Sequence, residues 1–154
     1  MRKFSGSNPG TENIPIAPFA KAGDNVFSMK NYVQYHKIEE YGPVSTSEPI
    51  YICTNKQKPN VIGNRIWLFS GEGRPRRYFL SAVFIADRFF PVPNPDFYFR
   101  VDGEMGRRFD PPVEVTHFPW FHELRRLQGN FAFGLNELDD RFVAYLERLI
   151  EQSE

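Results

Sequence analysis

The chain contains a single cysteine, Cys53, so neither an intramolecular disulfide framework nor a cysteine-built zinc site is open to it. It also lacks a net charge. Lys+Arg is 19 and Asp+Glu is 19, so recognition of a polyanion or an acidic partner must come from local patches. No apolar run approaches ~18 residues, and the polar, Pro/Gly-rich beginning does not read as a signal peptide. A cytoplasmic protein without membrane contact is therefore expected. Catalytic patterns are scarce too. His36, His117 and His122 lack metal-ligand spacing, and no paired-carboxylate nuclease pattern is visible. Gly71-Glu72-Gly73 is too short for a nucleotide-binding glycine fingerprint. Cys53 falls inside a strand pattern, where a thiol serves as a small buried hydrophobe. No catalytic residue, metal site or cofactor is expected, and an enzyme acting on nucleotides is the third choice among function classes.

What the chain has in abundance is aromatic: Phe 16, Tyr 7 and Trp 2, together with 13 prolines, in 154 residues and 18.0 kDa. That length suits one compact domain, and this composition favours a β-rich domain over a helical bundle. Residues 1–24 lack periodicity and are expected to form an extended or disordered arm, with a single domain over 25–154. Residues 31–36 alternate as a strand, with Val33 and Tyr35 on one face and Tyr32, Gln34 and His36 on the other. A turn-rich loop follows over 39–49, then a short strand over 51–54. Residues 63–87 read as a long hairpin whose loop carries two glycines, a proline and three arginines. Its second strand is apolar on both faces, which predicts cover on each side. Further strands are expected at 97–101, 113–115 and 130–135.

Two helices are predicted. Pro119 opens the first, Trp120, Leu124 and Leu127 form its stripe, and Gly129 follows its end. Asn136 is expected to cap the second, where Phe142, Tyr145, Leu146, Leu149 and Ile150 recur at helical spacing. The fold class is α+β: a mixed, strongly curved or closed, barrel-like sheet with two or more short helices packed against it.

Two kinds of residue suggest binding. Arg74, Arg76 and Arg77 crowd the hairpin loop and Lys56 borders the turn after the second strand, a candidate phosphate-binding face. The pairs Arg107-Arg108 and Arg125-Arg126 are weaker candidates. Tyr35, His36, Trp67, Phe69 and Trp120 could converge on a sheet mouth and stack on a base, with Asn130 reading its edge. Because Trp67 and Phe69 alternate out of register with Ile66 and Leu68, one face of that strand is expected to look away from the main core or into a cavity. For each aromatic residue the ordinary alternative is the core.

Taken in order, these segments resemble the PUA-like superfamily, and within it the EVE-type modules related to YTH domains. The resemblance rests on Gly63-Asn64-Arg65-Ile66-Trp67-Leu68-Phe69 with the returning strand from Tyr78 to Asp87, on the aromatic first strand Tyr32-Val33-Gln34-Tyr35-His36, and on 131–140 leading into an acidic-capped helix. Tyrosines stand where the family has a first-strand tryptophan, and the stretch from Pro91 to Pro112 is long and proline-rich. The resemblance covers about residues 30–150 and implies a β-barrel whose mouth holds a modified or flipped base of DNA or RNA without catalysis. It further implies a free-standing reader or the reader part of a bacterial modification-dependent restriction or defence system, with a nuclease fused or separate. A protein-interaction or regulatory module using the aromatic face is the alternative.

Overall fold

The computed structural model describes residues 29–132 and 134–153. The arm expected over 1–24 lies outside the described residues. In chain order the elements begin with β1 (Asn31–Lys37), α1 (Ile38–Tyr41), β2 (Ile50–Thr54), β3 (Arg65–Glu72), β4 (Arg77–Ile85) and β5 (Arg88–Pro91). They continue with β6 (Phe99–Gly103), β7 (Gly106–Glu114), α2 (Pro119–Leu127), β8 (Asn136–Glu137) and α3 (Asp140–Gln152). The larger sheet has the order β7-β4-β3-β1-β8 and the smaller one the order β2-β6-β5. β1 runs parallel to β3, and β3 and β4 form the antiparallel hairpin that the sequence predicts. The architecture is α+β, but the sheets are not closed into a barrel: β7 and β8 end the larger sheet, β2 and β5 the smaller.

The larger sheet is buried on both faces, which is why β3 and β4 carry apolar side chains on each. Ile66 and Leu68 of β3 join Ala82 and Phe84 of β4 and Ile50, Ile52 and Val101 of the smaller sheet in one core. Trp67 and Phe69 point the opposite way, into a second core with Phe121 and Leu124 of α2 and Phe142, Leu146 and Leu149 of α3. This is a three-layer arrangement of small sheet, large sheet and helix pair. No helix among the described residues is long and apolar enough to cross a membrane.

The second core corrects the expectation that Trp67 and Phe69 line a base pocket. Both are fully buried. The indole N–H of Trp67 donates to Asn31 Oδ1 at 3.0 Å, and the same oxygen accepts from Arg65 Nε at 2.7 Å. Arg65 also lies over the Trp67 ring, 4.9 Å from its centre, and reaches Glu147 of α3 at 3.2 Å. A tryptophan can be wholly buried here because its one polar atom has a partner.

Two local expectations also change. The strand expected over 130–135 is a 3-10 turn over Gly129–Phe131, and only Asn136 and Glu137 pair, with Val33 and Tyr32. Left-handed backbone at Gly129, Asn130, Phe131 and Gly134 interrupts the extended chain. Phe133 is not among the described residues. Asn136 thus belongs to β8, and Asp139 caps α3 by accepting from the Arg141 N–H at 3.0 Å.

Trp67→Ala should cost ~3–5 kcal/mol in urea unfolding, the range for a large buried aromatic side chain. A loss below ~1 kcal/mol would mean that Trp67 does not support the helix-side core.

Candidate functional site

Tyr35, near the end of β1, organises the surface beside the hairpin tip. Its ring stacks on Phe131 with centres 4.9 Å apart and planes 6° from parallel, and tilts against Tyr78 at 6.0 Å. Arg76 Nη1 donates to its hydroxyl at 3.3 Å. Burial raises the Tyr35 phenol pKa, and the Arg76 charge works against that rise. The ring passes directly over Gly71, where a Cβ would lie 2.1 Å from the Tyr35 hydroxyl oxygen. Phe131 holds φ at 66° and Asn130 at 55°, a conformation that costs a non-glycine residue ~1–2 kcal/mol. The Tyr35–Phe131 stack helps to offset that strain.

The hairpin tip is tied to α1 through one carboxylate. Glu39 accepts from the Gly73 N–H at 2.6 Å and from Arg76 Nη1 at 3.1 Å. The Gly73 amide, helped by Arg76, lowers the Glu39 pKa to about 2.

Two adjoining cavities open at this corner, one of about 580 Å³ and one of about 420 Å³, and both are lined by Gln34, Tyr35, Glu40, Tyr41 and Phe97. Tyr41 and Phe97 face each other with ring centres 5.1 Å apart. The larger cavity adds the cations Lys37, Lys56 and Arg76 and the turn residues Asn130 and Phe131. Lys56 Nζ donates to Asn136 Oδ1, and burial lowers its pKa, with the Lys58 charge adding to that effect. The smaller cavity adds His36, Tyr51, Cys53 and Asp96. His36 Nε2 lies 2.7 Å from the Gly42 carbonyl oxygen. Burial raises the Cys53 thiol pKa, which keeps the thiol protonated and a poor nucleophile. Gln34 lies between the two cavities. Its Nε2 donates to the Cys53 carbonyl at 3.2 Å, while its buried Oε1 has no hydrogen-bond partner.

No protein-family model, curated protein or solved structure matches this chain. The cleft must therefore be read from its own chemistry. Among the described residues, no group of three or more His, Cys, Asp or Glu is placed to hold a metal ion.

Of the residues singled out in the sequence, Tyr35, His36, Lys56, Arg76 and Asn130 come together around the two cavities. Trp67 and Phe69 lie in the helix-side core, and Trp120, which lines neither cavity, packs against that core and stacks on Phe118 and Tyr145. The hairpin arginines do not form one face. Arg77 makes a bidentate pair with Glu114 at 2.8 and 3.1 Å, and Arg74 is exposed and lines neither cavity. Arg76 ends the turn and Arg77 begins β4, and they are held by different partners, Glu39 and Glu114. The other basic pairs are engaged within the chain as well. Arg107 and Arg108 bond Ser153 and the Ser45 carbonyl, Arg125 covers the Tyr78 ring, and Arg126 pairs with Glu123.

Gln34, Lys37, Tyr41, Phe97 and Phe131 were not anticipated. Gln34 carried a signal, as a polar residue that alternates with Tyr32 and His36 on one face of the first strand. Tyr41 and Phe97 are 56 positions apart in the chain and carried none.

Gly71→Ala should displace Tyr35 from Phe131 and lower stability by ~1–3 kcal/mol, the cost of forcing bulk into a packed site. Unchanged ring-proton shifts for Tyr35 and Phe131 in NMR spectra would show that the contact yields freely. The Glu39 titration has a definite sign. Its folded pKa of about 2 lies below the ordinary 4.5, so its stabilisation is complete above that value and is lost as pH falls from 4.5 towards 2. Carboxyl-detected NMR should find a Glu39 midpoint near 2, and Glu39→Gln should remove this part of the acid dependence of stability.

Proposed function

We propose that this protein binds nucleic acid without catalysis and accepts an unpaired or flipped base, modified bases included, in the cleft beside Tyr35. The observation that carries the reading is that one cleft joins an aromatic lining, Tyr35, Tyr41, Phe97 and Phe131, to a cationic rim, Lys37, Lys56 and Arg76. Aromatic rings stack on any base face for ~1–3 kcal/mol each, and the cations neutralise phosphates. Only Nη1 of Arg76 is engaged among the described residues, so the rest of its guanidinium is available to a phosphate. The EVE-type resemblance belongs to the same proposal. An aromatic first strand beside the β3–β4 hairpin and a short last strand leading into an Asp139-capped helix support it.

A second reading, a protein-interaction module, rests on a different surface. Phe118, Trp120 and Tyr145 form a stacked ladder with centres 5.5 and 5.4 Å apart, and Arg148 lies over the Tyr145 ring at 5.3 Å. Phe118 and Tyr145 are exposed.

Fluorescence anisotropy with short single-stranded oligonucleotides distinguishes the two. Binding should weaken linearly on a log–log plot against salt, and the double variant Lys56→Ala/Arg76→Ala should flatten that slope by about one to two. Phe118→Ala/Tyr145→Ala should leave the affinity unchanged. Absence of binding at low salt, or its loss in the ladder variant alone, would sink the cleft reading.

A further inference from the structure

We infer that the cleft selects the amino-bearing edge of a base: a ring with an exocyclic amino group, as in cytosine or adenine, over the ring with an oxo group in its place. This deepens the reading above and rests on it. Gln34 is only 7% exposed, and its carboxamide orientation is set by the Cys53 carbonyl, which accepts from Nε2 at 3.2 Å. Turning the amide over would bring two acceptors together, so Oε1 is the atom left without a partner. A buried acceptor left unpaired costs free energy in the empty protein, and a ligand N–H recovers it.

Some of the neighbouring side chains have the same polarity; Asn94, whose Oδ1 accepts from the Asp96 and Phe97 N–H groups, is left its Nδ2 donors instead. His36 Nε2 faces the Gly42 carbonyl at 2.7 Å and must carry the proton there, so the neutral ring presents Nδ1 as an acceptor. Asp96 on the smaller cavity and Glu40, which borders both cavities, accept only. Amino N–H groups satisfy these oxygens, whereas an oxo group would set its lone pairs against them. The cations, by contrast, line the larger cavity. Among the lining residues, Lys and Arg side chains border only the larger cavity, which suits a nucleotide with its base edge in the smaller cavity and its phosphate in the larger.

The test compares oligodeoxycytidylate with oligodeoxyuridylate, and oligodeoxyadenylate with oligodeoxyinosinate, since each pair exchanges amino for oxo at one ring position and an acceptor for an N–H at the adjacent ring nitrogen. Anisotropy titrations of the full chain should show the amino member about 10-fold tighter in at least one pair, the effect of one buried hydrogen bond. Gln34→Met keeps the bulk and removes the acceptor. It should bring that pair within about two-fold by weakening the amino member only. Equal affinity in both pairs for the unaltered protein overturns the inference while oligonucleotide binding stands, and this arm needs no variant. A preference that survives in a folded Gln34→Met protein, judged by its urea unfolding curve, overturns it equally. If no oligonucleotide binds at low salt, the proposed function fails and this inference with it.

Discussion

The alternation of side chains along β3 is the constraint on which the rest of the structure depends. Ile66 and Leu68 face the smaller sheet, and Trp67 and Phe69 face the helices. A shift of register by one residue would exchange every one of these side chains between two cores of different shape. The buried polar cluster of Asn31, Arg65 and Trp67 resists such a shift, because the Asn31 oxygen serves two donors on the neighbouring strand. Burial pulls the Arg65 pKa down and Glu147 opposes that, so the cluster also links β3 to α3.

Both layers on this sheet contribute to the cleft. Tyr35 and Phe131 extend the helix-side core to the surface and continue the set of rings that Tyr78 and the buried Phe121 begin. Gln34, one residue earlier on β1, points the other way and bonds the Cys53 carbonyl of the smaller sheet. The cleft lies where β1 and β2 both present side chains, and α1 and the turn at 129–132 border it. Of its aromatic lining, Tyr35 and Phe131 are the outer part of a core, and Tyr41 and Phe97 come from outside it. Backbone strain is found in the same place, at Asn130 and Phe131, as is common at binding sites.

The electrostatics are local, as zero net charge requires. Most arginines are committed to intramolecular partners: Arg77 to Glu114, Arg88 to Asp102, Arg108 to Glu48. Arg76 is held by Glu39 yet stays at the cleft. A carboxylate that fixes one guanidinium nitrogen and leaves others to solvent holds the cation in place for a ligand.

Periodicity alone determined that β1, the β3–β4 hairpin and the helices α2 and α3 would form, because period-2 and period-3.6 patterns report which faces are buried. It also showed that β4 must be covered on both sides. It could not say which cover lies on which face, so Trp67 and Phe69 were legible as large residues on one face but not as core. The turn at 129–131 was hidden for a related reason: Phe131 and Leu135 fit strand alternation, and left-handed backbone at a phenylalanine is stabilised by partners distant in the chain, Tyr35, Phe69 and Tyr78. Tertiary structure alone brought Gln34, Tyr41, Phe97 and Phe131 to one cleft and sent Arg76 and Arg77 apart. Those contacts join residues far apart in the chain, and local pattern carries no information about pairs that only the packing of two sheets and two helices brings together.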